Sequence, residues 1–263
     1  MQLVNNINKY NDLVTFSPNK SIPIHRWYPL VEGYSSELVK SIIEEQKIRP
    51  NLCFDPFGGI GTTSLTCYEL NIGCISIESN PFFCEVSKAK INYESLSATI
   101  LEDLVCEMNI RLLRQKGDVK HPELQSKTFF ESNRSKWVFH KSVSNGIFDI
   151  VNVIDEICMN EYQKYKSVFK ISLATILQEV SNVFKNGKCL AYKKNWKEKK
   201  FERREVHLLF LKHIRNVILH DLALNIGLKI KPLQTDFSPY LLAGVRGDYM
   251  ISYKPIELEE PKS

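Results

Sequence analysis

The chain has 263 residues, 43% of them hydrophobic and 25% charged, with 35 Lys and Arg against 30 Asp and Glu for a net charge of +5. That composition excludes disorder, collagen-like repeats and low-complexity sequence, and so mild a basic excess names no partner by itself. No stretch reaches the roughly 18–20 apolar residues of a membrane helix, the N-terminus has no signal peptide or presequence pattern, and seven cysteines lack CxxC spacing, so the expectation is a cytoplasmic protein with reduced thiols, no metal site and no membrane partner.

Residues 1–25 are polar, carry Pro18 and Pro23, and predict an irregular lead-in. The pattern SSELVKSIIEEQ (35–46) puts Leu38, Ile42 and Ile43 on one helical face, with Ser35 or Ser36 as N-cap and Pro50 as the stop. Leu52-Cys53-Phe54 predicts a short buried strand. A glycine loop (58–61) leads into a helix from Thr62 to about Leu70, residues 74–78 predict a second strand, and Asn80-Pro81 starts a helix over 82–93. Strand, helix, strand, helix in that order implies a parallel sheet with right-handed crossovers. Beyond it, 95–117, 147–160, 162–184 and 204–225 predict helices, 118–145 an irregular segment, and 228–233 and 248–253 two strand-like pieces. The expected organisation is a cofactor-binding segment (1–94), a helical insertion (95–226) that could contact DNA, and returning strands of the sheet (227–263).

The chemistry concentrates in DPFGGIGTT (55–63), followed about fifteen residues later by ESNPF (78–82). Glycines let backbone turn sharply and approach a ligand without a Cβ in the way, and a carboxylate ending the second strand, Glu78, can accept both hydroxyls of a ribose. A Walker loop needs Gly-Lys-Ser/Thr, but Gly61 is followed by Thr62 and Thr63; a dinucleotide loop needs a glycine where Ser64 stands. A carboxylate at Asp55 sits badly beside phosphates and well beside a cation. S-adenosylmethionine, with its positive sulfonium, is the cofactor this set suits best.

DPFGGIGTT resembles the cofactor motif of DNA methyltransferases that modify the exocyclic amino group of cytosine or adenine, the enzymes of restriction–modification systems. HRWYPLVEGYSSELV (25–39) is similar to the segment that closes over the methionine half of their cofactor, and ESNPFFCEVSKAK (78–90) to their second-strand segment. The resemblance implies an α/β fold with a Rossmann-like methyltransferase sheet, here partial, and a helical insertion. It implies S-adenosylmethionine held by Trp27, Tyr28, Glu32, Ser35, Asp55, Pro56, Phe57, Gly58, Gly59, Gly61, Thr62, Thr63, Glu78 and Asn80, with Phe82 or Phe83 near the adenine and Asp236 near its amine. It also implies double-stranded DNA as substrate.

In that family a Ser/Asp-Pro-Pro-Tyr loop accepts the hydrogens of the target amine and stacks on the flipped base. No such sequence occurs here. Phe237-Ser238-Pro239-Tyr240 is one prolyl short. The preferred register makes 228–236 the third strand and 247–252 the fourth, with a degenerate loop at Ser252 and Pro255. The expectation is therefore a truncated or split enzyme whose second methyltransferase subunit supplies the base pocket; the alternative is a non-catalytic DNA- or partner-binding relic. LQEVSNVFKNGKCLAYKK (177–194) also looks like a patch of cytosine-type members. The Lys- and Arg-dense run 184–205, interleaved with aromatics, offers Lys188, Lys193, Lys194, Trp196, Lys199 and Arg203 as nucleic-acid contacts, against the plain alternative of a solvated charged loop.

Overall fold

A computed structural model describes residues 10–116, 136–186, 189–198 and 200–225, and the backbone of Tyr249–Tyr253. The chain divides into two compact units, one of Met1–Ser95 with Asn225–Ser263 and one of Leu96–Leu224. In the first, the polar lead-in forms three short 3-10 turns, Asn11–Val14, Ser17–Ser21 and His25–Trp27. Helix α1 (Ser36–Glu44) is capped by Ser35, whose Oγ accepts the Leu38 N–H at 3.1 Å. It ends six residues before Pro50, so the proline does not set its terminus. Strand β1 (Leu52–Asp55), helix α2 (Thr62–Glu69), strand β2 (Gly73–Glu78) and helix α3 (Pro81–Ile91) follow in the expected order.

β1 and β2 pair in parallel, Leu52 against Gly73 through Asp55 against Ser76, which brings their carboxyl ends side by side. β2 is the better buried of the two. Leu52 and Phe54 on β1 are 57% and 62% exposed. The expectation of a buried first strand is thus corrected: among the described residues β1 is an edge strand with a partner on one side only. Under the sheet, Ile60, Leu65, Cys67, Ile72, Val86 and Ile91 form the core, the two helices turning their apolar stripes inward.

The second unit is mainly helical. It contains α4 (Ala98–Arg114), α5 (Lys141–Ile157), α6 (Lys166–Val180), an antiparallel hairpin of β3 (Val183–Asn186) and β4 (Cys189–Tyr192), and α7 (Arg203–His213), which continues through a π-type turn (Ile214–Leu219) into α8 (His220–Asn225). Val143, Ile147, Ile150, Val153, Ile154 and Ile157 give α5 a buried stripe at helical spacing. Gly146 lets α7 come close, since a Cβ there would lie 2.9 Å from Val206. The hairpin was not expected: its strands are only four residues long, VFKN and CLAY, and lie within a lysine-rich run. Phe139 is buried and Trp137 half-buried.

The last element, β5 (Tyr249–Tyr253), returns to the first unit and pairs with β2 in antiparallel register, Tyr249 against Glu78 and Tyr253 against Cys74. That direction corrects the expected strand order. A parallel strand would deliver its following loop beside Glu78; β5 instead sets Ser252 against Ile75 and leaves the sheet at the opposite edge. Pro255 and the 228–233 piece lie outside the described residues. No helix among the described residues is long and apolar enough to cross a membrane, and no three His, Cys, Asp or Glu side chains there converge as metal ligands.

Candidate cofactor site

The site is built on the carboxyl ends of β1 and β2, where the chain leaves each strand and enters a helix. The glycine loop is held down by Gly58 N–H to Ile77 O at 2.8 Å and closed on itself by Gly61 N–H to Gly58 O at 2.9 Å. Gly61 has φ +81°, and a Cβ on it would meet Ser87 Oγ at 2.2 Å; on Gly58 it would meet Ser76 Oγ at 1.9 Å. These two glycines are demanded by the close approach of loop, strand and α3.

Both carboxylates are oriented by backbone. Glu78 Oε2 accepts the Gly59 N–H and Oε1 the Asn80 N–H, each at 2.7 Å. Asp55 Oδ1 accepts the Phe57 N–H at 3.0 Å, and Oδ2 accepts the Tyr34 hydroxyl at 3.0 Å. A carboxylate has about four acceptor positions, so each of these anions keeps roughly half its capacity for a ligand. Asn80 caps α3, its Oδ1 accepting the Phe82 N–H at 2.9 Å, and this fixes Phe82 and Phe83 beside Tyr28, with ring centroids 5.2 and 6.3 Å from it. Phe57 is 85% exposed at the loop tip, beside an exposed Pro56.

Tyr34 is the residue that sequence reading passed over. It sits in the 25–39 segment and bonds Thr63 Oγ1 at 2.5 Å as well as Asp55, tying that segment to β1 and to the start of α2. Burial and the neighbouring Asp55 carboxylate push its phenol well up, so it stays protonated and donates. With Leu38, Ile42 and Phe54 the same three polar residues line a cavity of about 370 Å³. Leu30 lies over Gly59, where a Cβ would be 3.6 Å from it. The segment therefore packs on the glycine loop through Leu30 and Tyr34.

Of the other expected contacts, Trp27, Ser35 and Thr62 are buried. Trp27 is fully buried. Ser35 spends its hydroxyl on the α1 cap and on Leu13 O, at 2.9 Å. Thr62 is buried at the start of α2, its carbonyl bonded by Thr66, and Glu32 is exposed. Asp236 lies outside the described residues. Behind the segment, Lys90 of α3 is fully buried and donates to His25 O at 3.0 Å. Burial lowers its pKa to about 7. His25, 3.4 Å from Glu69, is also lowered by burial, and Ile24 before it has φ +64°, a strained conformation for a β-branched residue.

In the second unit, the structure also sorts the expected nucleic-acid contacts. Arg203 is bound by Asp149, and Lys193 Nζ donates to Gln178 O and Glu179 O, at 3.1 and 2.9 Å, closing the end of α6. Lys194 is exposed, Trp196 is half-buried, and Lys188 and Lys199 lie outside the described residues.

Paired acids at the carboxyl ends of parallel strands, reached across a glycine loop, are the arrangement that suits a nucleoside-bearing ligand. Residues 31–89 match the DNA methylase family, a span that includes both the glycine loop and Glu78. The type II methyltransferase M.BsoBI of Geobacillus stearothermophilus is 31% identical over 186 residues, 68% of this chain and 33% of that protein. M.AvaI of Anabaena variabilis is 25% identical over 188 residues, 69% of this chain and 36% of that protein. The chain spans about a third of the length of these relatives. No solved structure matches it.

Proposed function

We propose that the first unit binds S-adenosylmethionine and serves as the cofactor-holding part of a DNA methyltransferase acting on the exocyclic amino group of cytosine or adenine. The observation that carries this reading is the pair of half-used carboxylates, Asp55 and Glu78, at the carboxyl ends of parallel strands within the family match. The sheet around them is read as part of a Rossmann-like methyltransferase sheet, of which β1 and β2 are the first two strands.

The fit is chemical. Glu78 has acceptor positions left for a ribose diol, and the loop N–H groups on its two oxygens hold it in place. Asp55 keeps negative charge where a cationic ligand gains from it, with Tyr34 fixing its orientation. The Tyr28, Phe82 and Phe83 rings offer apolar edges for a purine. When bound, S-adenosylmethionine supplies an electrophilic methyl group on its sulfonium. The chain's part is to hold that group still and dry, which is most of the catalysis in a direct transfer to an amine. In this reading the base pocket comes from outside the described residues, and a second methyltransferase subunit is a candidate source.

Equilibrium dialysis against S-adenosylmethionine, ATP and NAD tests the assignment. The expected result is retention of S-adenosylmethionine, with ATP and NAD at least about tenfold weaker because Asp55 and Glu78 repel phosphates. Equal or tighter binding of either phosphate-bearing nucleotide would overturn it.

A further inference from the structure

A second feature lies wholly in the helical unit, where three segments are tied to one asparagine. Asn182 donates its backbone N–H to Val138 O at 2.7 Å and its Nδ2 to Trp137 O at 3.4 Å, and its own carbonyl accepts the Lys193 N–H at 2.9 Å. The end of α6, residues 137–138 and the exit of β4 are thereby fixed together. Asn195, with φ +56°, then turns the chain sharply, and Glu198 N–H closes that turn on Asn195 O at 3.0 Å.

The turn presents Trp196 to two neighbours. Its ring lies 4.8 Å from Trp137 at 69° and 4.6 Å from Tyr192 at 43°. Two ammonium groups sit over the cluster, Lys136 Nζ 5.7 Å from the Tyr192 ring and Lys197 Nζ 5.7 Å from the Trp196 ring. Lys194 is exposed between them in sequence, with Lys200 Nζ on its carbonyl at 3.1 Å. Lys136, Lys194 and Lys197 are exposed and make no ion pair with an acid among the described residues. Glu198 is the one acid of the turn.

We infer that this face, Lys136 and Lys197 over the Trp137–Tyr192–Trp196 cluster with the exposed Lys194 on the same turn as Trp196, contacts the phosphate backbone of double-stranded DNA. The identity of the polyanion rests on the DNA-methylase reading above. Lys136 and Lys197, held over the rings, lose little freedom on meeting phosphates, and all three unpaired cations release counterions from the duplex. The rings pack on one another, so they form a rigid base for the lysines and not a shelf for unstacked bases. A single strand, bound chiefly by stacking, would need those faces open. The contact positions the duplex and carries no sequence information.

The test uses the full chain and two fluorescent probes of about 20 nucleotides, a duplex and a single strand, titrated between about 50 and 200 mM NaCl. In the triple variant Lys136→Gln/Lys194→Gln/Lys197→Gln, duplex affinity at the lower salt falls by at least about tenfold and the slope of log affinity against log salt shrinks by 2 to 3, roughly one per lysine removed. Glu198→Lys strengthens duplex binding. S-adenosylmethionine binding is unchanged in both variants, so a failed cofactor assignment would show separately. An unaltered salt slope in the triple variant, or a single strand bound more tightly than the duplex, overturns the proposal.

Discussion

Asp55 in the first unit and Asp149 in the second are both carboxylates held by a hydrogen-bonding neighbourhood, and they are used in opposite ways. Asp149 is fully buried between α5 and α7, where Oδ1 accepts from Arg203 Nη2 at 2.7 Å and Oδ2 from His207 Nε2 at 2.8 Å and from Arg203 Nε. Burial alone would raise its pKa, but the bonds from His207 and Arg203 outweigh it and hold the carboxyl below its ordinary range. Asp55 is half-buried, is oriented by one backbone N–H and one phenol, and faces a cavity. A saturated carboxylate holds two helices together. A carboxylate oriented but left partly unsatisfied is available to a ligand.

Four substitutions sharpen that contrast, the largest effect first. Asp149→Asn leaves Arg203 and His207 facing a neutral amide and costs about 3 kcal/mol of stability by urea denaturation, whereas Asp55→Asn costs under about 1 kcal/mol while weakening cofactor binding tenfold or more. The reverse ordering of stabilities would contradict the assignment of roles.

Next comes Lys90, a buried cation without an acidic partner among the described residues. Its folded pKa of about 7 lies below the ordinary 10.5, so between those values the unfolded chain holds the extra proton and stability rises with pH. Each pH unit in that window adds up to about 1.4 kcal/mol. The buried His25 acts with the same sign below its ordinary value of 6.5. Denaturation at pH 7 and pH 9 should show a larger gain in the natural chain than in Lys90→Met, whose remaining slope is set by groups such as the buried Cys67, Cys84 and Cys158 thiols, raised in the fold and so of opposite sign; equal slopes would remove Lys90 as the cause. The smallest effect is that of Tyr34→Phe, which deletes the bonds to Asp55 and Thr63 for about 1 kcal/mol and weakens the cofactor several-fold without abolishing it.

The front of the chain was legible because each local signal agreed with the next. Ser35 caps α1, Asn80 caps α3, and the glycine loop lies between a strand and a helix as its spacing demands. Other features depend on partners distant in sequence. Nothing local to Trp27 says that burial absorbs it, and nothing local to Lys193 or Arg203 reveals the α6 carbonyls or Asp149 that hold them. The direction of β5 was misjudged for a related reason. A six-residue alternating piece reads the same for parallel and antiparallel pairing, and the choice is made by the register against β2. Tyr34 was missed because a tyrosine ahead of a helix carries no motif; its role appears only when Asp55 and Thr63 are brought to it.

The central claim is that Glu78 and Asp55 form a working cofactor site, and calorimetric titration of S-adenosylmethionine into the chain beside Glu78→Ala tests it most directly. Micromolar binding in the natural chain, lost in the folded variant, is the predicted result. Equal affinity in the two proteins, or no binding to the natural chain at millimolar cofactor, would contradict it.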